Sequence, residues 1–342
     1  MRSLAADLST DEAEYLGVVG RWCEDVVEPL VGAFEAGELL VTELDEQLHG
    51  LDLLSLGLAA APRGDPLASV AAALALLHRI AQTHAALAVR VAHVYCAQRI
   101  VASTSFASDI RVADATVAFL RDQSLCPCTL DGIVDPFELA TSAEAAIVLH
   151  TGEAIVVLAQ PFDPQLSVSA AERRSGLRGL VARRAAFSGY RIPERAVTAD
   201  VNLATRQVAL YCLTTAAILS GVAGRAMRLA SQYARERWQF GKPIASLPAV
   251  AGMLEDSQLS LDALDDLIGA SARSAAIGSD GSAEPIVVAE HAAATCLRVV
   301  LDAVQVHGGY GYVSEFGIDR RVRDVMSLGA RARIPRAMKV TR

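Results

Sequence analysis

The chain has 342 residues, a formal net charge of −8, 52% hydrophobic residues and a mean hydropathy of +0.33. An acidic surface excludes nucleic acid as the main partner, because phosphate binding needs a basic one. The length allows two or three domains around a large core, and so much apolar sequence with so few aromatics calls for fully buried helices and for surface buried against other subunits.

Residues 1–98 read as a helical domain. Ser9 followed by Glu12 is a capping box ahead of a helix whose apolar face runs through Leu16, Val19 and Cys23 toward Pro29. A second helical region spans residues 39–58, and residues 62–66, Pro-Arg-Gly-Asp-Pro, form a loop. Residues 67–93 carry apolar side chains on nearly every turn and predict one mostly buried helix. Met1-Arg2 leads into Asp7, Asp11 and Glu12 rather than an apolar core, so a cytoplasmic protein is expected.

Residues 99–198 change character. Short apolar runs at 116–120, 145–149 and 154–158, bounded by turn residues such as Asp131-Gly132 and Thr151-Gly152, predict strands of a small central β domain. Tyr190-Arg191-Ile192-Pro193-Glu194 reads as its exit. The six cysteines are Cys23, Cys96, Cys126, Cys128, Cys212 and Cys296; the C-x-C spacing of Cys126 and Cys128 is not that of a zinc or redox site, so buried or free thiols and no metal are expected.

Residues 199–342 are helical again. A long helix covers 203–237, another begins at Pro248 and runs to about Ala276, residues 277–285 form a loop, and a third helix over 286–306 ends at Gly308-Gly309. Long helices with short connections predict an antiparallel four-helix-type bundle. The uncharged run from Gln207 to Gly224 reaches the length of a membrane span, but Thr214, Thr215 and Ser220 dilute it, and a buried bundle helix is expected instead of a membrane segment.

Two blocks in this last region carry the chemistry. The first is Arg237-Trp238-Gln239-Phe240-Gly241-Lys242-Pro243-Ile244. An arginine gives a planar, permanently charged fork for diphosphate oxygens; it could equally complement the dipole of the helix it ends. The second is Gln305-Val306-His307-Gly308-Gly309-Tyr310-Gly311-Tyr312, where glycines permit close backbone approach to a ligand or a plain helix cap. A helix precedes it, so it is not a dinucleotide-binding glycine loop. In this order, followed by Arg323-Asp324, the blocks resemble the C-terminal domain of the acyl-CoA dehydrogenase family.

The resemblance implies an α+β, mostly α fold: an N-terminal helical domain, a small central β domain and the C-terminal bundle. It implies FAD, with Arg237, Gln239 and Phe240 near the diphosphate and flavin region, and Gln305, Gly308 and Gly309 at the adenosine half. In the family these contacts cross a subunit interface. His307 is expected to be a satisfied surface or interface residue and Arg323-Asp324 to be structural.

The chain departs from the family where the chemistry lies. Desaturation needs a base for the α proton. Most members place that glutamate shortly after the Arg-Asp, and no acid follows Asp324 here. A minority place it early on the long helix, at the position of Tyr211; the nearest acid toward the N-terminus is Asp200. The loop that covers flavin and substrate has no match over residues 99–135, where Thr104-Ser105-Phe106-Ala107-Ser108-Asp109 comes nearest. The expectation is a non-catalytic subunit that completes the FAD site of a full-length partner in an α2β2 heterotetramer, as in heteromeric enzymes of actinobacterial steroid side-chain degradation. The alternatives are a self-sufficient enzyme with a displaced base, such as Glu315 or Asp319, and a flavin-free scaffold.

Overall fold

A computed structural model of the chain describes residues 8–56, 69–101, 115–126, 129–138, 146–150, 155–159, 167–172, 174–191, 197–198, 201–276 and 284–339. The expected loop at 62–66, the segment 104–109, Thr151-Gly152, Cys128 and Ile192-Pro193-Glu194 lie outside these residues.

Helix α1 (Thr10–Trp22) opens on the predicted capping box: Ser9 Oγ accepts from Glu12 N–H at 3.2 Å, and the Glu12 carboxylate accepts from Ser9 N–H at 2.7 Å. A π-helical turn (Cys23–Val27) leads into α2 (Glu28–Ala36), which ends at Gly37 in the left-handed conformation. A 3-10 turn (Val41–Leu44) and α3 (Asp45–Gly50) replace the longer helix expected over 39–58.

The single helix expected over 67–93 is two, α4 (Val70–Thr83) and α5 (Ala85–Val101), broken at His84. His84 adopts an extended conformation (φ −147°, ψ 110°), and its Nδ1 accepts the N–H of Leu87 at 3.3 Å. It therefore caps α5 as an Asn or Ser would. Its ring lies 4.5 Å from that of Phe34, and burial, with Arg320 and Arg321 nearby, pushes the imidazole pKa down to about 3. Apolar periodicity runs straight through the break because both helices are buried.

The described strands form a seven-stranded sheet in the order β5-β6-β2-β1-β3-β4-β7, comprising β1 (Ala115–Cys126), β2 (Thr129–Glu138), β3 (Ala146–His150), β4 (Ile155–Ala159), β5 (Ser167–Val168), β6 (Ala182–Arg191) and β7 (Val197–Thr198). Neighbours are antiparallel except the β1–β3 pair. The predicted run 116–120 falls within β1, and the runs 145–149 and 154–158 overlap β3 and β4 except for Ala145 and Ala154, which lie outside the described residues. Asp131-Gly132 is not a bounding turn: both lie inside β2, where the β2–β6 register shifts between Leu130 and Gly132. Tyr190 and Arg191 are the last residues of β6 rather than an exit loop.

The bundle follows in the predicted order as α6 (Val201–Glu236), α7 (Pro248–Ala276), α8 (Glu284–His307) and α9 (Ile318–Lys339). The loop expected to reach Pro285 stops short of it, since Glu284 and Pro285 form the first turn of α8. Helix α6 is long and apolar enough to cross a membrane, yet 83% of its apolar window is buried inside the protein, which makes it the central helix of the bundle. At Gly221 it crosses α4 so closely that a Cβ there would meet His78 O at 2.4 Å.

A short loop fastens the sheet to the bundle. The Asp324 carboxylate on α9 accepts the N–H of Leu177 at 2.6 Å, and a Cβ on Gly176 would meet the carbonyl oxygen of Arg323 at 2.2 Å. Arg323 pairs with Glu35 at 2.7 Å and with Asp319 at 3.1 Å. Arg323-Asp324 thus ties α2, α9 and the loop after β5 together, the structural role expected of it.

Candidate functional site

The two sequence blocks meet at one end of the bundle. Helices α6 and α8 run side by side and finish together, because the ring of His307 stacks on Tyr233 with centroids 4.5 Å apart and an interplanar angle of 21°. Phe316 closes edge-on against Tyr233 at 6.0 Å, and Tyr310 lies 5.3 Å from Phe316. His307 is satisfied as expected but is not a surface residue: its ring stack buries it, it bonds the carbonyl of Ala303 at 2.8 Å through Nδ1, and its pKa is lowered by burial against that bond. Tyr233 and Phe316 were not among the predicted site residues. Their spacing from Arg237 and Gly308-Gly309 carries no motif; only the fold shows that they join the two blocks.

Beyond Tyr233 the chain turns sharply. Helix α6 ends at Glu236, one residue short of the expected Arg237, and β8 (Trp238–Gln239) pairs with β9 (Lys242–Pro243) in a two-residue hairpin. Phe240 (φ 53°) and Gly241 (φ 78°) supply the left-handed turn that such hairpins need. Phenylalanine is an unusual residue there, and its side chain is 87% exposed. The carbonyl of Arg237 accepts the N–H of Ile244 at 2.8 Å, which locks the hairpin base. Arg237, Gln239 and Phe240 are all exposed, and no hydrogen bond or ion pair engages the Arg237 guanidinium among the described residues.

On the α8 side Gln305 is exposed on the last turn. Gly308 (φ 58°) and Gly309 lead into a 3-10 turn (Gly308–Tyr312), with nothing within 4 Å of a Cβ built on either glycine. The backbone there is open to a ligand. The six predicted residues therefore lie on one exposed end, stiffened from beneath by stacked rings.

A second site lies inside the protein. Tyr211, one of the positions at which the family resemblance would place a base, lines a cavity between α5, α6 and α9 and is 4% exposed. Leu328 and Arg331, from the stretch after Arg323-Asp324, line the cavity across from it, and His93 of α5 completes the polar side. The Arg331 guanidinium contacts Nε2 of His93 and sits 5.8 Å from the Tyr211 ring centroid. The N–H of Val117 in β1 donates to His93 Nδ1 at 3.2 Å, and Thr214 and Thr215 both donate to the carbonyl of Tyr211. The space left is about 10 Å³, room for about one water. Among the described residues no carboxylate lines it. Glu315 is exposed at the bundle end and Asp319 is held by Arg323, so neither reaches this cavity.

Residues 201–330 match the model of the acyl-CoA dehydrogenase C-terminal domain. Among curated relatives, the chain is 31% identical over 163 residues to the caffeyl-CoA reductase-Etf complex subunit CarC of Acetobacterium woodii, covering 46% of this chain and 43% of that protein. It is 29% identical over 183 residues to a probable acyl-CoA dehydrogenase, YngJ, of Bacillus subtilis, covering 51% and 48%. The matched region spans about half the length of these relatives. The fold extends further: butyryl-CoA dehydrogenase from Megasphaera elsdenii superposes with a TM-score of 0.76 at 17% identity over 98% of this chain and 99% of that one. The acyl-CoA dehydrogenase from Geobacillus kaustophilus does so at 0.80 and 16%, over 98% and 97%, and an FAD complex of PigA at 0.81 and 15%, over 98% of each. The chain carries the acyl-CoA dehydrogenase fold, and its bundle, over residues 201–330, matches the C-terminal domain of that family.

Proposed function

We propose that this chain is a subunit of an FAD-dependent acyl-CoA dehydrogenase that helps to hold a partner's cofactor and performs no proton abstraction itself. The observation that carries the reading is the convergence of Tyr211 and Arg331 on one cavity with room for about one water. A base cannot act without a carboxylate or an equivalent group in reach of the substrate proton, and a cavity of this size admits no acyl chain.

The exposed bundle end fits the dinucleotide. The Arg237 guanidinium would fork to diphosphate oxygens, Gln239 and the Gln305 amide would donate to and accept from the phosphate and adenosine edges, and the open backbone at Gly308-Gly309 would let that half approach. Phe240, held outward in a strained turn, would cover the flavin region. Bound FAD supplies the hydride acceptor. The base and the thioester contacts would come from a full-length partner in an α2β2 assembly, in the cytoplasm.

The test is co-expression with a full-length homologue that keeps its glutamate. Flavin absorbance against protein mass should give two FAD per tetramer. Arg237→Ala should weaken FAD retention by about 1.5–3 kcal/mol, the size of one charge-assisted contact. Four FAD per tetramer, or desaturation by this chain alone, overturns the reading.

A further inference from the structure

Away from the bundle end, five arginines gather where α2, α4, α6 and α9 meet. Arg225 and Arg228 lie on α6, Arg320 and Arg321 on α9, and Arg79 on α4. Among the described residues two carboxylates pair with them. Glu24 contacts Arg79. Glu28, the first residue of α2, stands 3.7 Å from Arg225 and 3.9 Å from Arg320, within reach of attraction but too far for a hydrogen bond. Asp324, near Arg321, is committed to the N–H of Leu177. The excess of positive charge is marked on a chain whose net charge is −8.

The crowding leaves traces. Burial and the neighbouring Arg320 and Arg225 push the Arg321 pKa down to about 9. Arg228, which donates to Gln82 at 2.8 Å, is lowered by burial and by Arg225 and Arg79. Nε of Arg225 is buried and has no acceptor. The cluster is open to water nonetheless, with the Arg225 side chain 36% and the Glu28 side chain 40% exposed. Arg225 lies eleven residues before Glu236, where α6 ends, about 16 Å along the helix axis, so this is not the bundle-end site.

We propose that the cluster is a binding site for a phosphate-class oxyanion, seated between the guanidinium groups of Arg225, Arg228 and Arg320 at its solvent-open side. Guanidinium forks match the edges of a tetrahedral dianion and hold their charge throughout the physiological range. Glu28 occupies the mouth as a weakly held competitor. The ligand is either free phosphate or the terminal phosphate of a nucleotide.

Calorimetric titration of the purified assembly with inorganic phosphate and with adenosine monophosphate, at constant ionic strength in chloride, tests this. One of the two should bind, and the tighter one names the source. Arg225→Gln should weaken that binding about tenfold, the loss of one bidentate charged contact. Glu28→Gln, at an exposed position, should tighten it several-fold. Arg235→Gln, exposed further along α6, should leave it unchanged. The proposal fails if neither probe binds above the chloride background, if Arg225→Gln binds as tightly as the parent, or if Glu28→Gln binds no more tightly.

Discussion

The ring of His307 lies on the ring of Tyr233, 4.5 Å between centroids, and this stack fixes the ends of α6 and α8 to each other. Stacked rings contribute roughly 0.5–1.5 kcal/mol beyond their buried area. Tyr233→Ala should therefore cost about 2–3 kcal/mol in urea unfolding, while Tyr233→Phe keeps the stack and should stay within about 1 kcal/mol of the parent. If the alanine variant is as stable as the phenylalanine one, the rings are not what joins the helices.

Tyr211→Glu places a carboxylate where some acyl-CoA dehydrogenases keep their base. It should not make the lone chain an enzyme. The new carboxylate would face Arg331 in a cavity with space for about one water, and no thioester could reach it. Dye reduction with a panel of acyl-CoA thioesters should remain at background; turnover above background would show that the cavity opens.

Asp324 sets a pH dependence whose sign is fixed. Burial raises its carboxyl from 3.8 to about 6, opposed by the bond from Leu177 N–H. Its folded pKa exceeds the unfolded one, so the folded state binds more protons between these values. The stability it contributes is complete below pH 3.8 and is lost as pH rises through 6. Asp324→Asn keeps an oxygen for Leu177 and removes the titration. The variant should gain on the parent between pH 4 and 7 by an amount of order 2–3 kcal/mol. Parallel stability curves across that window would contradict this account.

Two glycines on α6 should respond with opposite signs. A methyl on Gly221 meets the backbone carbonyl of His78 at 2.4 Å, whereas one on Gly224 finds nothing nearer than the end of Arg228 at 3.9 Å. Gly221→Ala should destabilise by about 1–3 kcal/mol through overpacking. Gly224→Ala should stabilise by up to about 1 kcal/mol through helix propensity. Thermal unfolding of both variants beside the parent reads the contrast directly.

The helices were legible because their signals are local: the Ser9–Glu12 box, Pro248 in a first turn, and the glycines after α8 all act within a few residues. The break at His84 was not, because a buried histidine there does the work of a polar cap and leaves the apolar pattern intact. Strands β2 and β6 carry charged and glycine residues that hide their alternation, and β2 holds Asp131-Gly132 without turning. The blocks around Arg237 and Gln305 were legible as motifs. The hairpin that presents Phe240, and the Tyr233 stack beneath it, depend on contacts that no spacing records. The absent glutamate could be read from the chain, but not what stands in its place, since His93 and Arg331 are brought together from distant helices.

That last contact has a consequence for synthesis. His93 lies on α5 and its partner Arg331 on α9, so most of the chain must be made before the two can meet. Contacts of such sequence separation form late and slowly. Until α9 emerges from the ribosome, α5 and α6 lack the wall formed by Leu328 and Arg331, and apolar surface meant for the interior stays open to aggregation or to a chaperone. The cavity closes only when the last helix docks, so truncations that remove α9 should be recovered as insoluble protein even though every other element is intact.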